Sequence, residues 1–320
     1  MTPSNAITSL WSAFVPLPTA YRALGIASLG VVVAAASSEA QQPVDMRRAV
    51  TATASVRVSG TFAELRIRGW TKDSLVITGT VPGDAHFGGG FLSAAGGASP
   101  GAKFYLESPT GVPSGVLELR VPVGARVWAK AGSATIDAEG VTGGLDLNVI
   151  GGSVHVTGSP HELTVEAMDG AITVDGAPPW ARLKTASGNI TLGAGSEDAA
   201  VTTVSGDVRV AGKYERLRLS SVTGPVGFNG DIVRGGSLDI DTHSGTVDLR
   251  FTPKLSADVD IATMSGQIEN AFNKRAPIAG REGRGQELSF MAGNGGARIY
   301  VRSFKGNVKL SPSSLKIVSF

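Results

Sequence analysis

The chain has 320 residues, no cysteine, 43 glycines, 18% charged residues and a formal net charge of +2. The lack of any thiol excludes disulfides, zinc–thiolate sites and cysteine nucleophiles together, and the near-neutral charge argues against nucleic acid as the main partner. Many glycines without a collagen triplet fit a β-protein with many corners, in a chain long enough to bury a large core.

The first 40 residues read as an export signal. Arg22 precedes an apolar run from Ala23 to Ala36, too short to span a bilayer, and Ser38-Glu39-Ala40 offers the small residues that a signal peptidase reads. No membrane span is expected after cleavage, and the mature protein is expected in the periplasm, at the cell surface or outside the cell. Residues 41–52 read as a linker. Residues 53–125 read as degenerate first coils, with strand-like runs around Val56, Leu65 and Ile77, a Trp70 that belongs to a cap, and a glycine-rich loop over residues 82–101.

From Arg126 to the end the chain is periodic. The glycines at 152, 170, 188, 206 and 224 are spaced by 18, and Gly224, Gly245 and Gly266 by 21; Gly306 follows after 40, two coils' worth. A fixed period near 20 residues marks a solenoid. Counting from each repeat glycine, positions −7, −5, +2 and +4 are apolar, as in Leu217, Leu219, Val226 and Phe228 around Gly224. That alternation predicts two short strands per repeat, with these columns facing a core. Position −2 is apolar too (Ile150, Met168, Val204, Val222, Met264) and is expected to turn inward at a bend, with His243 packing in the same column. Gly152, Gly170, Gly188, Gly206, Gly224, Gly245, Gly266 and Gly306 would relieve backbone strain at that corner, so Gly206→Val should cost roughly 1–3 kcal/mol. Ser and Thr at −3 and −1 would form hydroxyl ladders that satisfy corner amides. The fold class expected is all-β, a single-stranded parallel β-helix (β-solenoid) of 18–21 residues per coil, right-handed by the crossover preference.

Residues 271–288 interrupt the pattern with a basic, glycine-rich loop. Lys274, Arg275, Arg281 and Arg284 are its candidate anion contacts, toward a polysaccharide or lipid head group. After it the repeat resumes, and the tail from Leu315 to Phe320 would add an end strand.

Signals of catalysis are sparse. The four histidines (His86, His155, His161, His243) fall in no metal-ligand spacing, and no nucleophile elbow or zinc-protease motif occurs. Asp239 with Asp241 is the nearest thing to a carboxylate pair, and Arg209 and Asp248 stand two coils apart. No catalytic, cofactor or metal residues are assigned, no cofactor is expected, and the chain is read as a non-enzyme.

The repeated phrase in Thr185-Ala186-Ser187-Gly188-Asn189-Ile190-Thr191-Leu192, in Thr203-Val204-Ser205-Gly206-Asp207-Val208-Arg209-Val210, and in Thr242 to Leu249 and Thr263 to Ile268, resembles the bacterial putative-adhesin family, a β-strand-repeat domain of unknown function. The resemblance covers about Val50 to Leu310. It implies an adhesin-like or envelope-associated interaction module with an unknown surface ligand, protein or polysaccharide. The alternative is an envelope-stress or regulatory scaffold that binds a partner protein, and a carbohydrate-active enzyme ranks below both.

Overall fold

The structure, a computed structural model, describes residues 41–92, 97–280 and 283–313. The export segment, Arg281 and the tail strand lie outside the described residues.

Among the described residues every element is a strand. The N-terminal region holds β1 (Gln41–Gly60), β2 (Phe62–Trp70), β3 (Ser74–Pro82), β4 (His86–Phe91), β5 (Ser99–Glu107) and β6 (Gly115–Pro122). The regular repeats begin with β7 (Arg126–Glu139) and β8 (Gly144–Thr157), followed by β9 (Glu162–Ala167), β10 (Ala171–Asp175), β11 (Trp180–Lys184), β12 (Ile190–Leu192), β13 (Gly195–Thr203), β14 (Val208–Ser221) and β15 (Val226–Thr242). The C-terminal region contributes β16 (Val247–Phe251), β17 (Ala257–Thr263), β18 (Ile268–Asn270), β19 (Ile278–Ala279), β20 (Gln286–Ala292), β21 (Ala297–Ser303) and β22 (Val308–Pro312).

The repeats stack in register as parallel strands. Leu145 lies beside Leu163, Leu163 beside Ala181, Ala181 beside Ala199, and Ala199 beside Leu217, each one repeat further along the chain. A second ladder, after the corner, sets Val154 beside Ile172, Ile190, Val208 and Val226 in turn. The columns at −7, −5, +2 and +4 are buried from Leu145 to Leu249 and form one continuous core with Tyr214, Phe228 and Phe251. Such aliphatic rows supply the burial that no single repeat could achieve alone.

Four expectations need correction. First, position −2 faces outward: Ile150, Met168, Val204, Val222 and Met264 are all about half exposed or more (45–56%). It shares its parity with −4, −6 and −8, so no inward bend occurs there; −3 turns inward instead, burying Thr185, Thr203, Ser221, Thr242, Thr263 and Ser303. All of these hydroxyls except that of Thr242, which has no hydrogen-bond partner among the described residues, close the corner. Thr203 Oγ1 accepts from the Gly206 amide at 2.9 Å, and Ser221 Oγ donates to the Gly224 carbonyl at 2.6 Å. His243 is exposed and stacks on Phe304, with ring centroids 5.0 Å apart.

Second, corner strain is not the reason for most of the repeat glycines. Gly152 alone among them has a left-handed φ (95°). At Gly188, Gly206, Gly245 and Gly306 an added Cβ would lie about 2 Å from the carbonyl oxygen of the glycine stacked below. The constraint is the close approach of one repeat to the next.

Third, the ends are not simple coils. Residues 41–49 are no linker but the start of β1, antiparallel to β3. β3 also runs antiparallel to β6, and the expected glycine-rich loop contains β4, antiparallel to β5. The interrupted stretch after Asn270 contains β19 and leads into β20, antiparallel to β17. Parallel pairing is therefore the rule inside the stack and antiparallel pairing the rule at its ends.

Fourth, spatial order departs from chain order at both ends. β1 lies between β5 and β7, and β2 between β6 and β7. Likewise β21 lies between β15 and β17, and β22 between β16 and β18. The first and last repeats of the sequence are thus each inserted one rung inside the stack.

Candidate functional site

On the first ladder −7, −5 and −3 are buried, so its outward parity is −8, −6, −4 and −2. Its rungs carry charge of alternating sign. Arg182 and Lys184 on β11 are followed by Asp198 on β13, Arg216 and Arg218 on β14, Asp239 and Asp241 on β15, Arg298 and Arg302 on β21, and Asp258 and Asp260 on β17. Asp198 takes Arg182 at 2.7 Å and Arg216 at 3.1 Å. Its burial alone would raise its pKa; the hydrogen bonds from Arg216 and Arg182 outweigh that and hold it below the ordinary carboxylate value.

A groove of about 850 Å³ opens on this face over β1, β7, β8, β9 and β11. Its lining includes Trp128 and Trp180, with Arg57, Arg126, Asp146 and Glu162 between or beside them. The register explains the hollow. Gly144 stands laterally between Arg126 and Glu162, and Thr164 stands between Asp146 and Arg182, so small residues floor the space between two indoles. An added Cβ at Gly144 would meet only Arg126 Cγ at 3.5 Å and Glu162 atoms at 3.9 Å or more, which is ordinary contact. Trp128 and Trp180 stand on strands three steps apart, roughly 14 Å at about 4.8 Å per step. Arg182 lies over the Trp180 ring at 4.2 Å. Arg126 faces Glu162 at 3.8 Å, and Asp146 accepts from Asn148 Nδ2 at 2.6 Å. Neither tryptophan stands out in the sequence alone; two indoles on outward-parity positions of repeats three rungs apart are the available signal.

The sequence-derived candidates are dispersed. Arg284 lines a separate hollow of about 510 Å³ with Arg302, Met264 and Phe304, but also with Asp241 and Glu287, so its charge is mixed. Lys274 and Arg275 are exposed and do not line it; the Arg275 carbonyl accepts from Asn270 Nδ2 at 2.8 Å. Asp239 lines a third hollow of about 560 Å³ with Asp258, Asp260, Arg298 and Tyr300. His155 is exposed and pairs with Asp175 at 2.9 Å, His86 approaches Tyr105, and His161 lines the tryptophan groove. Arg209 pairs with Asp207 and Asp248 with Arg250, each on its own strand or corner, so the two do not meet. Trp70 donates to the Ser74 carbonyl at 2.8 Å beneath Arg47 and Lys72. Among the described residues no cluster of His, Asp and Glu has a metal-holding arrangement, and no helix is long and apolar enough to cross a membrane.

A family model described as Toastrack DUF4097 matches residues 38–311. Among solved structures, one similar chain is described as a "putative cell adhesion protein" from Clostridium sporogenes. It is 10% identical, covering 85% of this chain and 100% of that one, with a TM-score of 0.23. A second, from Parabacteroides distasonis, is described as a "putative lipid binding protein". It is 14% identical, covering 84% of this chain and 96% of that one, with a TM-score of 0.37. No curated protein matches the chain.

Proposed function

The chain belongs to the Toastrack DUF4097 family, and on that footing we propose that it is an exported, adhesin-like module that binds an extended polysaccharide without cleaving it. The scaffold in this reading is a right-handed β-solenoid of 18–21 residues per coil. The observation that carries the reading is the groove between Trp128 and Trp180. Sugar rings present flat C–H faces that stack on indoles, and their hydroxyls suit carboxylates and guanidinium groups such as Asp146, Glu162, Arg57 and Arg126. Because most groove residues stand on hydrogen-bonded strands, little backbone ordering entropy remains to be lost on binding. Cleavage would call for one carboxyl group held protonated in an apolar pocket. Here Glu162 is exposed opposite Arg126, and Asp146 is engaged by Asn148.

The test is a glycan array probed with the purified protein, followed by titration of any hit. Gly144→Leu projects a side chain from the groove floor, starting from a Cβ that meets no forced contact. It is expected to weaken binding at least about tenfold, the scale of one lost methylene-rich contact, while thermal melting stays unchanged. Trp180→Ala should weaken it similarly. An array without hits, or binding indifferent to Gly144→Leu, removes the reading; release of reducing ends from a bound glycan removes its non-enzymatic part.

A further inference from the structure

The outward −2 column forms a continuous apolar ridge along one edge of the stack. In spatial order it runs Ile150, Met168, Ala186, Val204, Val222, His243, Phe304, Met264, joined by backbone hydrogen bonds from rung to rung. Its length is roughly 34 Å at about 4.8 Å per rung. An exposed apolar row of that extent is the kind of surface that marks an interaction site. The flanking columns indicate what covers it.

At −4, in the same spatial order, stand Lys130, Asn148, Glu166, Lys184, Thr202, Ser220, Asp241, Arg302, Ala262 and Glu287. Their charges read plus, none, minus, plus, none, none, minus, plus, none, minus. Read backwards, every plus becomes a minus. At −1 the same holds around the same centre, since Asp169 and Lys305 are equidistant from it.

We propose that the ridge is covered by a second copy of this chain, related by a two-fold axis that crosses the ridge between Val204 and Val222. Such an axis runs the two ridges antiparallel and keeps like columns on the same side. Glu166 then faces Arg302 of the second copy, Lys184 faces Asp241, and Asp169 faces Lys305, each pair occurring twice. Along the ridge Val204 meets Val222, the small Ala186 meets the larger His243, and Met168 meets Phe304 in a sulfur–aromatic contact. A two-fold running along the ridge would instead swap the two flanks, setting Glu166 against Asp169 and Arg302 against Lys305, like charge on like. The match depends on the inserted rung: in chain order Met264 would precede Phe304, and Glu166 would face Ala262. One column further out the match ends, with Asp146 opposite Asp260, so contact is limited to the ridge and its two flanks. The tryptophan groove stays open in this dimer.

Sedimentation equilibrium of the purified protein tests the assignment. A dimer is expected at micromolar concentration. Glu166→Lys and Arg302→Glu should each raise its dissociation constant at least about tenfold, since each places like charges together twice. The double variant carrying both should return to within about threefold of the parent. If either single variant fails to melt like the parent, the independent swap of Asp169→Lys with Lys305→Asp makes the same comparison. A parent that stays monomeric at about 100 µM overturns the proposal. So does a dimer indifferent to charge reversal, or a double variant that does not recover.

Discussion

Gly206 has no left-handed backbone angle, yet it tolerates no side chain, because a Cβ there would sit 1.9 Å from the Gly188 carbonyl oxygen. Gly206→Ala should therefore destabilise the fold by roughly 1–3 kcal/mol, the usual cost of forcing a packed backbone apart. Gly132 has open space at the same test and lies outside the left-handed region. Gly132→Ala should be neutral or stabilise by about 0.4–1 kcal/mol through the unfolded state. Chemical denaturation of the two variants separates contact from conformation; equal effects would overturn the stacking account. At this scale the inward columns at −7, −5, +2 and +4 were legible, because period-two alternation has only one buried solution. Position −2 was misread because apolar identity was weighed above parity. The Ser and Thr at −3 already pointed to a buried hydroxyl, which a corner amide could satisfy.

From β11 to β17 the rungs of the outward face are arranged so that like charges are not lateral neighbours. In chain order, the rung with Asp258 and Asp260 would lie directly on the one with Asp239 and Asp241; the insertion of β21 puts Arg298 and Arg302 between them. That repulsion was readable from the sequence, but only once the rungs were known to stack in register, so the order of the last repeats was not deduced. The spacing of 40 between Gly266 and Gly306 reads as two coils' worth, whereas the stretch between them returns the chain through β20 for the insertion. The tryptophan groove was missed for the same reason, since Trp128 and Trp180 become neighbours of one hollow only through the lateral register. Charge alternation has a pH signature at Asp198. Its folded pKa lies below the unfolded value, so its contribution is present above about pH 4 and is lost as pH falls through the lower folded value. Thermal melts should lose stability in that acid range, and Asp198→Asn should melt lower than the parent at pH 7 with a flatter acid profile. A variant whose acid profile matches the parent would remove Asp198 from the account.

Across the whole molecule, the strands nearest the described chain ends are not the outermost rungs. β1 and β21 each have parallel neighbours on both sides, while among the described residues β4 and β19 each pair on one side only. Hydrogen exchange followed by mass spectrometry should find the amides of Val56–Gly60 and Ile299–Ser303 among the slowest, and those of β4 and β19 among the fastest. Fraying of β21 ahead of β19 would contradict the insertion. All-β character and repeat stacking were legible because they follow from periodicity; end topology was not, because periodicity says nothing about which edge a returning strand will choose.

Insertion of the outer repeats also decides how the protein meets mechanical load. A pull between residues 41 and 313 would first meet residues 41–49, held by β3, and then Ser55–Gly60 between β5 and β7. At the other end it meets β22 between β16 and β18, so two ladders rather than one must open before either inner rung is released. An ordinary stack, whose last rung peels away bond by bond, would yield at lower force and in small steps.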